Sequence, residues 1–177
     1  MIILASKSPR RKELLSLITT DFIIKSADVD ETLPFEMTPQ KAVEYLSKIK
    51  AEPFRNCTDT VIGADTVVAI DDKILGKPAN EQEAYSMLKL LSGRTHSVFT
   101  GVTVITPEKT STFSVETQVE FFDLTDDEIY SYIATGECMD KAGSYGIQGK
   151  GGLLVKRING DYANVVGLPV STLNKRL

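Results

Sequence analysis

Apolar and polar residues follow one another along this chain in short blocks that predict strands and helices in turn. The apolar run Ile2-Ile3-Leu4-Ala5 predicts a buried strand, and residues 9–18 after it have the spacing of a helix. Further strands are predicted at residues 22–26 and 61–70, with a helix at residues 38–51 between them. This alternation indicates an α/β fold.

The rest of the chain continues the alternation with longer strands. Its predicted elements are a strand at residues 73–75 after a turn at Asp71-Asp72, a helix capped by Asn80, long strands containing residues 98–104 and 113–121, a helix at residues 125–135, a strand at residues 153–158, a turn at residues 159–161 and a short tail after Pro169. Long neighbouring strands without a helix between them imply antiparallel pairing. We therefore predict a mixed sheet flanked by helices.

Size and charge favour a cytoplasmic enzyme of one domain, residues 1–177, with two lobes. The chain has 24 acidic and 20 basic side chains in 177 residues, without a long run of either sign, so neither a nucleic-acid stripe nor a membrane-surface patch is expected. Apolar runs stay far below the length of a signal peptide or membrane span. Cys57 and Cys138 lack the spacing of a zinc site or disulfide framework, which favours a reducing compartment.

The segment Ser6-Lys7-Ser8-Pro9-Arg10-Arg11 places two arginines in the first turn of a helix. Ser8 is the expected N-cap and Pro9 the first helical residue. Arginines there oppose the helix dipole at a cost of roughly 0.3–1 kcal/mol each, which an anion would offset. We expect Ser8, Arg10 and Arg11 to bind a polyphosphate. The alternative is that both arginines point into solvent.

An aspartate inside an apolar strand is the second informative feature. Asp65 follows Gly63-Ala64, and aspartate is rarely buried unless it is paired or binds a metal, while Gly63 permits close backbone approach. Glu31, in an acidic loop, offers a second carboxylate, and one or two carboxylates together with substrate phosphates typically hold Mg²⁺. We expect Asp65 and Glu31 to bind Mg²⁺ or Mn²⁺. A surface acid and a solvated loop are the alternatives.

Two lysines and the single histidine each have a structural interpretation beside a chemical one. Lys50 lies at a helix C-terminus, where its charge complements the dipole, while Lys77 lies in a rigid turn that can aim its side chain at a ligand. His96 is expected to be structural, which argues against a serine or cysteine nucleophile. The glycine-rich residues 143–149 follow a helix, so they predict a flexible or tight loop and not a dinucleotide-binding turn.

Four motifs in order resemble the Maf family of nucleoside triphosphate pyrophosphatases. They are Ser6-Lys7-Ser8-Pro9-Arg10-Arg11-Lys12-Glu13-Leu14-Leu15, Gly63-Ala64-Asp65-Thr66-Val67-Val68, Leu75-Gly76-Lys77-Pro78 and Asp140-Lys141-Ala142-Gly143-Ser144-Tyr145-Gly146-Ile147-Gln148-Gly149. The last motif is similar to that of the branch acting on dTTP and UTP. Position 7 departs from the family pattern, since small or neutral residues are more usual there than Lys7.

The resemblance implies the elongated two-lobed fold of the inosine triphosphate pyrophosphatases (Maf/Ham1), with a cleft between the lobes, and a homodimer. It places the catalytic proton acceptor on Asp65 and assigns substrate specificity to Arg10, Thr66 and Gln148. It also places Glu31, Lys50 and Lys77 around the cleft, with the two lysines in catalytic roles.

The expected reaction is hydrolysis between the α- and β-phosphates, giving a nucleoside monophosphate and pyrophosphate. Gln148 carries a donor and an acceptor, which match the adjacent carbonyl and N–H of uracil or thymine. Three alternatives stay open: a pyrophosphatase that prefers purines, a nucleotide-binding regulator of cell division and septum formation without turnover, and a sugar nucleotidyltransferase.

Overall fold

The computed structural model of the protein describes residues 1–56 and 58–177; Cys57, whose spacing from Cys138 argued against a zinc site or disulfide framework, lies outside the described residues. The strands are β1 (Ile2–Ala5), β2 (Phe22–Lys25), β3 (Thr60–Ile70), β4 (Lys73–Leu75), β5 (Thr95–Ile105), β6 (Thr110–Phe121) and β7 (Val155–Asn159). The α-helices are α1 (Pro9–Leu15), α2 (Pro39–Ala51), α3 (Glu81–Leu91), α4 (Asp126–Ile133), α5 (Tyr162–Val166) and α6 (Val170–Asn174).

The strands form one mixed sheet. Its order is β2-β1-β3-β5-β6-β7, and β4 pairs with β3. Strand β1 runs parallel to β2 and β3, whereas β4 is antiparallel to β3 and β7 is antiparallel to β6. Only residues 106–109 separate β5 from β6, too few for the crossover that a parallel pair needs. The predicted α/β class with a mixed sheet flanked by helices is confirmed.

The chain divides into two compact units. The first unit contains residues 1–66, 99–115 and 163–177, and the second contains residues 67–98 and 116–162. Strands β3, β5 and β6 therefore contribute residues to both units.

Strand β1 of the first unit is buried on both of its faces, as is typical of an inner parallel strand. Leu4 of β1 lies in one apolar cluster with Leu15 of α1 and Leu173 of α6. Its neighbour Ile3 points the other way and lies in a second cluster with Ala51 of α2. Helices α1 and α6 thus cover one face and α2 covers the other.

Two glycines allow α2 to pack closely on the strands beneath it. A Cβ atom on Gly63 of β3 would overlap the Ser47 carbonyl oxygen and Ala51, and one on Gly101 of β5 would overlap the Val43 carbonyl. The close backbone approach predicted at Gly63 is therefore confirmed. Since Lys50 lies on the end of α2 next to these contacts, the packing also fixes where Lys50 meets β3.

In the second unit, helices α3 and α4 pack against each other. The Asn80 side chain accepts from the Glu83 N–H at the start of α3, and Thr125 and Glu128 form the predicted capping box of α4. Asp71 and Asp72 have φ of 51° and 59°, which makes the predicted tight turn between β3 and β4. None of the helices in the described ranges has the length and apolar character that crossing a membrane requires.

Three local predictions were wrong. Helix α1 was predicted to end at residue 18 but ends at Leu15. Just after this end, the Ser16 hydroxyl donates to the Lys12 carbonyl. Residues 149–154 form 3₁₀ turns, so β7 starts at Val155 and not at residue 153. Helices α5 and α6 were missed because five-residue helices are too short to show an apolar period.

Candidate active site

A buried carboxylate, Asp65, and a lysine, Lys50, form the centre of a charged cluster in the first unit, which also includes Glu31. Asp65 lies on β3 and is 8% exposed, and its Oδ1 atom contacts the Lys50 ammonium from α2. The close packing of α2 at Gly63 brings these two elements together. Asp65 therefore has the partner that its burial requires, and the alternative of a surface-facing acid is wrong.

Lys50 also contacts the acidic loop. Its Nζ atom lies 3.3 Å from Oε2 of Glu31, whose side chain is more than half exposed. Lys50 is thus a bridge between two carboxylates, which places it in the predicted site, although its position near the end of α2 also suits the helix dipole. Glu31 is the one acid of its loop that pairs with a lysine among the described residues.

The donor set of this cluster is compatible with a hard divalent cation. Asp65 and Glu31 supply carboxylate oxygens that converge on one cationic group, here the Lys50 ammonium. Within the described ranges, no group of three or more histidine, cysteine, aspartate or glutamate side chains is arranged to hold a metal ion. A pair of carboxylates is nevertheless the number that Mg²⁺ sites on phosphate substrates use, because phosphate oxygens and waters supply the remaining ligands.

Arg11 points into the first unit. Its Nε donates to the Gly167 carbonyl at 2.8 Å, its NH2 group to Thr66 Oγ1 at 3.1 Å and its NH1 group to Ser6 Oγ at 3.5 Å. Burial lowers the pKa of Arg11 below its ordinary value, and the nearby Asp65 carboxylate partly offsets that lowering. The alternative that both arginines point into solvent is therefore wrong for Arg11.

Arg10 differs from its neighbour although both lie in the first turn of α1. The Arg10 guanidinium has no hydrogen-bond or ion-pair partner among the described residues and is only partly buried. Ser8 acts as the predicted N-cap and accepts from the Arg11 N–H at 3.4 Å. Of the two arginines, Arg10 is the one whose guanidinium has no partner among the described residues, whereas three N–H groups of Arg11 are already engaged.

Thr66 belongs to a chain of hydroxyl groups next to Asp65. Besides accepting from Arg11, its Oγ1 lies 2.8 Å from Thr100 Oγ1, which donates to the Asn164 carbonyl at 2.9 Å. This chain connects α1, β3, β5 and α5, so it fixes the backbone around the carboxylate. The specificity role that the resemblance gives to Thr66 stays a prediction.

Lys77 and Gln148 belong to the second unit and share one property there. Both side chains are exposed, and neither has a polar partner among the described residues. Lys77 follows Gly76, whose carbonyl accepts from the Gly143 N–H at 3.1 Å, so the lysine turn is tied to the glycine-rich segment that contains Gln148. Both side chains are available to a ligand.

His96 has the structural role predicted for it. It is 2% exposed, its Nε2 lies 2.6 Å from the Tyr145 hydroxyl, and burial lowers its pKa to about 4. The imidazole is therefore neutral at physiological pH. Cys138 is also buried, and burial raises the pKa of its thiol, so it has no nucleophilic character.

Sequence reasoning missed several residues that hold this site. Ser6, Thr100, Asn164 and Gly167 all belong to the network around Arg11 and Thr66. Ser6 could have been found, since it lies two residues before the N-cap in the opening motif. Asn164 and Gly167 gave no signal, because they lie between the predicted turn at residues 159–161 and Pro169, where no element was predicted.

The sequence is similar to a family model and to two relatives over nearly its whole length. The family model described as Maf-like protein matches residues 1–177. A dTTP/UTP pyrophosphatase of Bacillus cereus (strain B4264) is 52% identical over 178 residues, covering 99% of this chain and 93% of the relative. A dTTP/UTP pyrophosphatase of Geobacillus sp. (strain WCH70) is 54% identical over 172 residues, covering 96% and 92%.

A solved structure supports the fold. The Ham1 protein of Staphylococcus aureus superposes with a TM-score of 0.51 at 17% identity, over 68% of this chain and 71% of that one. At this identity the likeness concerns the fold alone, and it agrees with the predicted Maf/Ham1 architecture.

Proposed function

Because the chain belongs to the Maf family, we propose that it is a nucleoside triphosphate pyrophosphatase that hydrolyses dTTP and UTP to the monophosphate and pyrophosphate. The observation that carries the proposal is the buried Asp65 carboxylate, held by Lys50 beside a second carboxylate and the basic first turn of α1. The names of the relatives from Bacillus cereus and Geobacillus support the substrate class.

Asp65 acts on the attacking water. A water molecule that attacks the α-phosphorus must lose a proton, and an ionised carboxylate within hydrogen-bond reach accepts it. The Lys50 contact fixes the direction of the Asp65 carboxylate oxygens. Lys50 thus prepares the base, and the Arg11 network holds the neighbouring Thr66 in place.

Free cationic groups bind the triphosphate. Arg10 and Lys77 have no ion-pair partner among the described residues, so binding a phosphate breaks no existing contact of theirs. Arg11 has five N–H groups, of which three donate within the protein, leaving two for a phosphate oxygen. Together with the Ser8 hydroxyl at the start of α1, these groups offset the charge that develops on the leaving pyrophosphate.

Asp65 and Glu31 would hold a divalent cation, Mg²⁺ or Mn²⁺. When bound, the ion supplies positive charge to the phosphate oxygens. Chelation with EDTA is expected to abolish hydrolysis, and added Mg²⁺ or Mn²⁺ to restore it, as measured by pyrophosphate release. Undiminished hydrolysis after chelation would remove the metal from the proposal and leave the carboxylate chemistry in place.

Gln148 selects the base. Its amide offers a donor and an acceptor together, which match the adjacent carbonyl and N–H of uracil and thymine, and cytosine presents a different pattern. Gln148 is exposed and has no competing partner among the described residues.

A pyrophosphate-release assay across pyrimidine and purine triphosphates tests the function. For Gln148→Ala we expect kcat/KM to fall by roughly 10- to 100-fold with dTTP and UTP and much less with purines, because a lost hydrogen bond leaves the base unpaired. Gln148→Glu is expected to be worse, since a carboxylate cannot donate and repels the phosphates. Lys150→Ala, on the exposed end of the same segment, is the control. An equal fall for all bases would contradict base recognition by Gln148.

We also propose that the protein acts as a homodimer in the cytoplasm. The edge strand β2 exposes Ile23 and Ile24, at 37% and 43%, which supports an apolar contact with a second copy. Light scattering during size-exclusion chromatography is expected to give twice the mass of 19.4 kDa. A mass of one chain at micromolar concentration would contradict the dimer.

A further inference from the structure

A hydrogen bond between two buried side chains lies directly beneath the segment that contains Gln148. Tyr145 is 5% exposed and His96 is 2% exposed, and Nε2 of His96 lies 2.6 Å from the Tyr145 hydroxyl. The histidine comes from β5 and the tyrosine from the glycine-rich segment, three residues before Gln148. The bond therefore joins the sheet to the segment.

Aromatic packing restricts the tyrosine ring as well. Tyr145, His96 and Phe121 meet edge to face, with centroid distances of 4.7 Å between Tyr145 and Phe121, 5.1 Å between His96 and Phe121 and 5.4 Å between His96 and Tyr145. Such geometry favours one ring orientation. The packing therefore directs the Tyr145 hydroxyl at a single atom, Nε2 of His96.

Backbone contacts hold the residues on either side of Tyr145. The Gly143 N–H donates to the Gly76 carbonyl, and the Gly146 N–H donates to the Tyr132 hydroxyl at 3.2 Å. Gly143 has a φ of 70°, and a Cβ atom on it would overlap the Val68 side chain. The backbone at Gly143 therefore packs closely against Val68.

A further contact lies beyond Gln148. The Lys150 N–H donates to the Glu137 carboxylate at 3.3 Å. Gln148 is therefore an exposed side chain on a short stretch that is fixed at both ends. A fixed backbone below a free amide is the arrangement that orients a recognition group.

We propose that the His96–Tyr145 hydrogen bond positions Gln148 and so sets the preference for pyrimidine bases. This inference rests on the proposed function, because it assigns the selectivity of the same reaction. His96 and Tyr145 are positioning residues that act through Gln148, since both are buried. Neither is expected to contact the nucleotide.

Tyr145→Phe tests the proposal because it removes the hydroxyl and keeps the ring. We expect KM for dTTP to rise about 10-fold with kcat within about 2-fold, and the preference for dTTP over a purine triphosphate to fall by a similar factor, as a lost buried hydrogen bond allows. Tyr130→Phe is the matched control, since its hydroxyl is exposed and has no hydrogen-bond partner among the described residues. Thermal melting verifies that both variants fold.

The single histidine supplies a second readout that needs no variant. With ¹⁵N-histidine, the wild-type protein has one pair of ring signals, and we expect them to shift when α,β-imido dTTP binds, because ligation of Gln148 is transmitted through Tyr145. Unchanged signals at saturation would overturn the proposal. So would a folded Tyr145→Phe variant with wild-type KM and selectivity, or with a fall in kcat alone. Wild-type protein that hydrolyses neither dTTP nor UTP would instead overturn the proposed function.

Discussion

The two units of the chain differ in how their charged and polar side chains are held. In the first unit, Lys50 contacts both Asp65 and Glu31, and Arg11 donates three hydrogen bonds inward. In the second unit, Lys77 and Gln148 have exposed side chains without polar partners among the described residues, and the backbone around them is held instead.

The difference follows from burial. A buried carboxylate must be paired, because an uncompensated charge away from water is costly. An exposed amide or ammonium is stabilised by water and needs no protein partner, so the fold must fix its position through the main chain. In our proposal, the first unit therefore carries the groups that act on the attacking water, and the second carries groups that bind the substrate.

Removing the central carboxylate is expected to have the largest effect. Asp65→Asn keeps the size of the side chain but loses the proton acceptor, so kcat should fall by about 100-fold or more, the contribution of a general base. Pyrophosphate release measures the fall, and Asp127→Asn, an exposed acid, serves as the control. Activity within a few-fold of wild type in a folded Asp65→Asn variant would remove Asp65 from the mechanism.

The two neighbouring arginines allow the comparison to be repeated within one helix turn. Arg11→Ala leaves the Gly167 carbonyl without its donor and should lower the free energy of unfolding by about 2 kcal/mol. The dipole argument alone predicts the opposite sign, and for Arg11 it is outweighed. Urea denaturation measures this change.

Arg10→Ala is the matched variant for that experiment. We expect its free energy of unfolding to stay within about 0.5 kcal/mol of wild type, since only an unfavourable dipole contact is lost. Its KM should rise because a phosphate contact is lost. Equal destabilisation by both substitutions would contradict the distinction between the two side chains.

A smaller effect is expected from pH. Burial lowers the pKa of His96 to about 4 from an ordinary value of 6.5, so between these values the unfolded chain binds a proton that the folded protein does not. Stability from this residue is complete above pH 6.5 and is lost progressively as the pH falls towards 4, by about 2 kcal/mol between pH 7 and pH 5.

Comparison with His96→Gln isolates this contribution, because the carboxylates titrate in both proteins. Unfolding free energies at pH 7 and pH 5 should converge between wild type and variant as the pH falls. Parallel pH dependence in the two proteins would show that the buried imidazole does not govern the change.

Strong local signals explain what the sequence could predict. Asp65 stood out because an acid interrupts an apolar strand, and the nearby Gly63 predicted a close backbone approach, which is that of α2. Caps at Ser8 and Thr125 fixed helix starts, since each depends on residues within one turn. The family was predicted from four motifs in order, and that prediction is confirmed.

What the sequence could not predict depends on contacts between distant residues. Arg10 and Arg11 are chemically identical neighbours, and their roles differ because Arg11 donates to distant residues, among them the Gly167 carbonyl, 156 positions away. The bond between His96 and Tyr145 likewise joins residues 49 positions apart. Periodicity and capping rules describe neighbours along the chain, so neither contact leaves a pattern in it.

Hydrolysis of dTTP in ¹⁸O-labelled water tests the central claim most directly. If Asp65 directs water to the α-phosphorus, single-turnover products analysed by mass spectrometry should carry the label in dTMP, with unlabelled pyrophosphate as the partner product. Label in pyrophosphate, or release of orthophosphate with dTDP, would contradict this account of the reaction.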